Sequence, residues 1–132
     1  MTGTVTEVEY PATLPGDGQR VYLSGPMTGI DDYNRPAFAQ ATETLEALGY
    51  EVVNPGAAET AEEVEEQIDE LGYGGFWREC LKRDVIGLFD GDFDMIVSLP
   101  GWEGSKGATM EAAVGVGLDI PRVDYETLIA KA

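Results

Sequence analysis

Short β-prone runs alternate with helical segments along this chain, and that alternation predicts an α/β fold. Two further observations narrow it. A length of 132 residues is enough for one domain with a real core and too little for two. Glycine-rich segments follow two of the strand runs, as they do where a parallel sheet passes into covering helices. The expected architecture is a single-domain, Rossmann-like (flavodoxin-like) three-layer sandwich around a parallel sheet of four to five strands.

The elements read in order. Residues 1–19 carry Pro and Gly without clear periodicity and are expected to be a flexible arm before a domain spanning 20–132. The arm lacks the basic and apolar regions of a signal peptide. RVYLS (20–24) is a strand ended by Gly25-Pro26. Asn34 is placed to cap the next helix, whose face carries Phe38, Ala41, Thr42, Leu45 and Leu48, and Gly49 can end it. YEVVNP (50–55) is a second strand stopped by Pro55. In the acidic run ETAEEVEEQIDE (59–70), Val64 and Ile68, with Leu71 just beyond it, keep a thin apolar stripe. A solvated helix face is expected there in preference to an acidic docking site. FWRECLKRDVIGLF (76–89) reads as a helix and FDMIVSLP (93–100) as the most buried strand. Residues 107–118 form a small-residue helix, IPRV a last short strand and YETLIAKA a terminal helix.

Composition excludes several functions. Twenty-five acidic against eight basic residues give a net charge of −17, which repels a phosphate backbone, so no nucleic-acid partner is expected. No apolar run approaches membrane-spanning length, and the lone Cys80 suits a reducing, cytoplasmic setting. With no histidine and one cysteine, neither a zinc site nor a Ser–His or Cys–His nucleophile pair is available.

Ligands of open parallel sheets bind outside the carboxyl ends of the strands. That edge holds Ser24 to Gly29, Asn54-Pro55 and Pro100 to Gly107. Glu111 lies on the helical stripe Gly107, Ala108, Glu111, Val114, Gly115 and leans back towards this edge among very small neighbours. A carboxylate there is costly unless paired or used. Asp84 likewise shares an apolar face with Cys80, Leu81 and Leu88, while Lys82 and Arg83 fall elsewhere. Two carboxyls in one cleft can divide nucleophile and acid roles. Tyr22 either donates its hydroxyl to such a carboxylate or is simply core. Trp102 is expected to stack on a planar ligand, and Ser105 to serve as helix cap, ligand hydroxyl or both. SGPMTG is neither a dinucleotide fingerprint nor a P-loop, and reads as a glycine turn that backbone and ligand can approach closely, or as a plain strand-to-helix turn.

YLSGPMTG, the helix bearing Asp84, and PGWEGSKGATME together resemble the nucleoside 2-deoxyribosyltransferase superfamily, nearest to its small phage and bacterial branch of the DUF4406 type. SGPMTG, YNRPAF, LGYEVVNP, RDV and LPGWEGSKGATME carry the likeness, from about residue 20 to about residue 123. The resemblance implies cleavage of the N-glycosidic bond of a deoxynucleoside or its 5′-monophosphate, with the sugar passed to a base or to water. It implies that Glu111 attacks C1′ to give a covalent glycosyl-enzyme, that Tyr22 orients it, and that Asp84 contacts the leaving base and is associated with its protonation. Ser105 falls where relatives hold the sugar's 5′ group, with a serine in the monophosphate hydrolases. Those hydrolases carry Ser and Arg in the first glycine loop, where this chain has Pro26 and Thr28, and no basic cluster in the sequence replaces them. A homodimer or larger assembly with a shared site is implied as well.

The candidate site therefore comprises Glu111, Asp84 and Tyr22 as catalytic groups. Around the substrate stand Ser24, Gly25, Pro26, Met27, Gly29, Asn54, Trp102, Ser105 and Gly107. The expected chemistry needs neither metal nor cofactor, and its small-molecule partner is a nucleoside or nucleotide. The alternative is a nucleotide-binding or sensing module without turnover.

Overall fold

The structure, a computed structural model, describes residues 14–132. Residues 1–13 of the expected arm lie outside the described residues. Residues 14–18 form a turn held on the domain, with the Gly16 N–H donating to the Leu48 carbonyl at 2.8 Å and Gly16 buried against the Tyr50 ring.

Four parallel strands, β1 (Arg20–Ser24), β2 (Glu51–Val53), β3 (Met95–Ser98) and β4 (Arg122–Asp124), form one sheet in the order β2-β1-β3-β4. Among the described residues, five helices accompany them: α1 (Arg35–Ala47), α2 (Ala61–Leu71), α3 (Tyr73–Asp90), α4 (Lys106–Gly117) and α5 (Tyr125–Ala130). This is the expected Rossmann-like, flavodoxin-like α/β domain.

Strand alternation assigns the two faces. Val21, Leu23, Val97 and Leu99 point to one side, where Phe38, Ala41 and Leu45 of α1 cover them and Leu128 and Ile129 of α5 add partly buried cover. Tyr22 and Ile96 point to the other, where Leu88 of α3, Val114 of α4 and Leu118 just past its end close the layer. Fully burying each of these large side chains contributes on the order of 1.5–3 kcal/mol. The acidic run forms α2, opened by a reciprocal Thr60–Glu63 capping box. Its Val64 and Ile68 pack on Phe76, Cys80 and Trp77, in the first half of α3.

Two boundaries differ from expectation. The 76–89 helix starts at Tyr73, so α3 begins a turn earlier than its sequence pattern suggests. Asn34 occupies the N-cap position of α1 without a side-chain capping bond; its Nδ2 donates instead to the Pro26 carbonyl at 2.9 Å. Asp32, Tyr33 and Asn34 are all left-handed, a conformation that few non-glycine residues adopt even singly.

β1 leads through α1 outward to β2, whereas β3 leads through α4 outward to β4 on the opposite side. With the usual right-handed crossovers, α1 falls on one face and α3 and α4 on the other, as observed. The switch point lies between the carboxyl ends of β1 and β3, where both glycine-rich loops begin. Gly25 is buried there, and a Cβ on it would stand 2.8 Å from the Leu99 Cβ. Gly25→Val is expected to cost about 1–3 kcal/mol by overpacking, measured by urea unfolding; an unchanged midpoint would show that the loop has room to yield.

Candidate active site

Ser105 caps α4, its Oγ accepting from the Ala108 N–H at 3.1 Å. Two turns further on, Glu111 is buried to 5 % exposure, with Ala108 and Gly115 buried on the same stripe. A Cβ on Gly115 would reach within 2.6 Å of Ile96 Cδ1, so the glycine lets α4 lie close on the sheet. That close approach brings the Glu111 carboxyl to the end of β1. Ser24 Oγ donates to Glu111 Oε1 at 2.6 Å, and Tyr22 OH donates to Glu111 Oε2 at 2.8 Å. Tyr22 and Ser24 sit two residues apart on one strand face, so one strand supplies both donors. The Tyr22 ring is itself held edge-on against Phe93 at 5.4 Å.

Asp84 of α3 lines the same cleft as this carboxyl, close enough for its charge to bear on Glu111. Arg83 pairs with Asp84 at 3.0 Å and with Glu59 at 2.6 Å. This corrects the expectation that Arg83 points away. Its backbone position is off the Asp84 face, but a long guanidinium stem reaches back to the two acids that draw it.

Burial raises Glu111 from the ordinary 4.5 to about 7; the Asp84 charge adds to the shift, while the bonds from Ser24 and Tyr22 oppose it. Burial also raises Asp84, against the pull of the Arg83 guanidinium. The Tyr22 hydroxyl is driven well above its usual range by burial and the neighbouring Glu111 charge, so it stays a donor. Burial pushes the Cys80 thiol up to about 11, which leaves it unreactive.

The carboxyl pair opens into a cleft of about 930 Å³. Gly25, Pro26, Met27, Ser105 and Gly107 line it beside Asp84 and Glu111. Tyr22 and Ser24 stand behind Glu111 and act through it. Three other candidates are placed elsewhere. Gly29 is exposed in a left-handed turn beyond the cleft. Asn54 Oδ1 accepts from the Gly56 N–H at 2.8 Å, shaping the turn after β2. Trp102 lines a separate small hollow with Asp124 and Tyr125, and the Arg122 guanidinium covers its ring at 4.1 Å. The left-handed Gly101 precedes the short helical turn Trp102–Gly104, which carries the indole towards β4.

An aromatic wall went unread in the sequence. Tyr33, Tyr73, Phe76 and Trp77 line the cleft, with successive edge-to-face contacts centred on Trp77 at 4.9–6.0 Å. The FW pair opening a helix was a legible signal, whereas Tyr33 arrives through the left-handed turn. Arg35, Arg78 and Lys106 also line the cleft.

The fold and site together define an α/β domain with a buried, hydrogen-bonded glutamate at the switch point of a parallel sheet. The chain belongs to the family described as a domain of unknown function (DUF4406), which matches residues 19–121. Among curated proteins, none matches it. No described helix is long and apolar enough to cross a membrane.

Because the folded state raises Glu111, it keeps a proton that the unfolded chain releases. Stability therefore falls as pH rises from 4.5 towards 7. Glu111→Gln keeps a Ser24 acceptor and removes the charge. Relative to the parent it is expected to gain about 2–3 kcal/mol between pH 4.5 and 8, read from denaturant unfolding across that range. A gap that does not change with pH would contradict the assigned burial cost.

Proposed function

We propose that this protein cleaves the N-glycosidic bond of a (deoxy)nucleoside or its 5′-monophosphate, with Glu111 as nucleophile, either as a hydrolase or as a deoxyribosyltransferase. The observation that carries the reading is the Glu111 carboxyl, fixed at both oxygens by Ser24 and Tyr22 and facing a cleft beside a second acid. The likeness of SGPMTG, RDV and PGWEGSKGATME to the nucleoside 2-deoxyribosyltransferase superfamily supports it. We further place the protein in the cytoplasm, as a homo-oligomer acting on a small molecule.

In this reading a Glu111 oxygen forms a bond to C1′ as the C1′–N bond breaks, through an oxocarbenium-like transition state. The bonding electrons leave with the base, which takes its proton from Asp84. Water or a second base then attacks C1′, returns a proton to Asp84, and releases Glu111 as a carboxylate. The bonds from Tyr22 and Ser24 hold the nucleophile in one orientation, so less ordering remains for the reaction itself. Burial raises Asp84 towards its protonated form, which the acid role requires. The aromatic wall offers faces for a planar base.

Base release from a panel of deoxynucleosides and their 5′-monophosphates, followed by chromatography, tests the reading. Release is expected from the parent, with Glu111→Ala reducing it by at least about a thousandfold. Thermal stabilisation by these ligands without any release would favour the alternative, a binding module.

The active pair carries one proton in total, so its rate has two limbs. Glu111 must be ionised to attack, and burial holds its proton up to about 7, while Asp84, also raised, must keep one. On the Glu111 limb, kcat/KM is therefore expected to fall as pH drops below about 7. A rate that stays flat from pH 5 to 7 would contradict these roles.

A further inference from the structure

The distribution of charge around the cleft runs against the rest of the chain. Four of the eight basic residues line it, Arg35, Arg78, Arg83 and Lys106, but among the described residues only three acids do. Those three are Glu59, Asp84 and Glu111, and burial raises the last of these towards neutrality. A protein of net charge −17 thus collects half its cations in one cavity. A surface of that sign opposes the approach of any anion, so cations gathered in a cleft mark where one is to be held.

Two of the four are already engaged. Arg35 pairs with Asp32 at 2.6 Å and donates to the Glu59 carbonyl, while Arg83 pairs with Asp84 and Glu59. Arg78 and Lys106 make no ion pair among the described residues. Arg78 precedes Asp84 by six residues on α3, and Lys106 precedes Glu111 by five on α4. At the helical rise, the two cations stand about 7.5–9 Å along their helix axes from the residues that bear the carboxyl pair, on the side of the loops. α3 and α4 pack against one another, so the two positions flank the same end of the cleft. Ser105 lies between the loop and Lys106, and its Oγ accepts from the Ala108 N–H, which leaves the hydroxyl proton to donate outward.

We propose that this end of the cleft binds a phosphate monoester, so that the substrate is a nucleoside 5′-monophosphate in preference to a nucleoside. Arg78, Lys106 and the Ser105 hydroxyl hold the phosphate, and the first glycine loop does not. Two cations and a hydroxyl donor match a dianion with several acceptor oxygens better than they match a neutral sugar hydroxyl. The choice of substrate rests on the glycosidase reading; the phosphate site itself does not. It also replaces the expectation that no basic cluster serves a phosphate here. The cations come from separate helices, which is why they form no cluster in the sequence.

Calorimetry on full-length Glu111→Gln separates the two. The ligands are a deoxynucleoside, its 5′-monophosphate, deoxyribose 5-phosphate and inorganic phosphate, each at low and high salt. The 5′-monophosphate is expected to bind at least about tenfold more tightly than the nucleoside, with the advantage shrinking in salt. Adding Arg78→Gln or Lys106→Gln is expected to cut that ratio several-fold each. Lys82→Gln, a charge on the same helix outside the cleft, is expected to leave the ratio unchanged. Equal binding of nucleoside and monophosphate, equal weakening of both by the variants, or binding of neither would overturn the phosphate site. A preserved ratio in a protein whose parent form releases no base would uphold it while sinking the glycosidase reading.

Discussion

The two hydrogen bonds that β1 gives to Glu111 constrain much of the remaining structure. A carboxyl at 5 % exposure is expensive to bury, and Ser24 and Tyr22 offset that cost by satisfying one oxygen each. For them to reach it, α4 must lie close against the sheet, and Gly115 over Ile96 permits this. For the carboxyl to meet a ligand, it must also stand where the loops diverge. The order β2-β1-β3-β4 provides that place, because β1 and β3 send their helices to opposite sides. The small-residue character of α4 therefore reflects both packing and access.

Around that fixed point the cleft divides by chemistry. Arg83 ties Asp84 to Glu59, so the second acid stays beside the first with its charge partly compensated. The aromatic wall comes from the start of α3 and from Tyr33, which three successive left-handed residues deliver. Such a backbone costs on the order of 1–3 kcal/mol per residue and persists only where neighbours hold it. Here Asn34 bonds the Pro26 carbonyl and Arg35 holds Asp32. Strain beside a cleft is where it is most often found, and it binds the first glycine loop to the start of α1.

Much of this was legible in the residue pattern. Alternating strands and helices define the sheet, and a single acid among glycines and alanines marks Glu111, because periodicity reports which face a residue occupies. What periodicity does not report is where a long or re-aimed side chain ends. Arg83 occupies a position off the Asp84 face, yet its guanidinium lies against that acid. The sequence suggests a stacking surface at Trp102, but after the left-handed Gly101 its ring lies beneath Arg122. The place of Ser24 at the strand end suggests a substrate contact, whereas its bond to Glu111 depends on how close α4 sits. Net charge misled in a similar way. A total of −17 is an average over the chain, while the cations meet only after the helices pack.

The central claim is that Glu111 attacks a sugar carbon. Its most direct test is the mass of the protein quenched while turning over a 2′-fluoro-substituted deoxynucleotide, whose fluorine slows both bond-making steps. The account predicts an added sugar mass on the peptide that contains Glu111, absent from Glu111→Gln. Base release with no adduct, or an adduct on a different peptide, would contradict it.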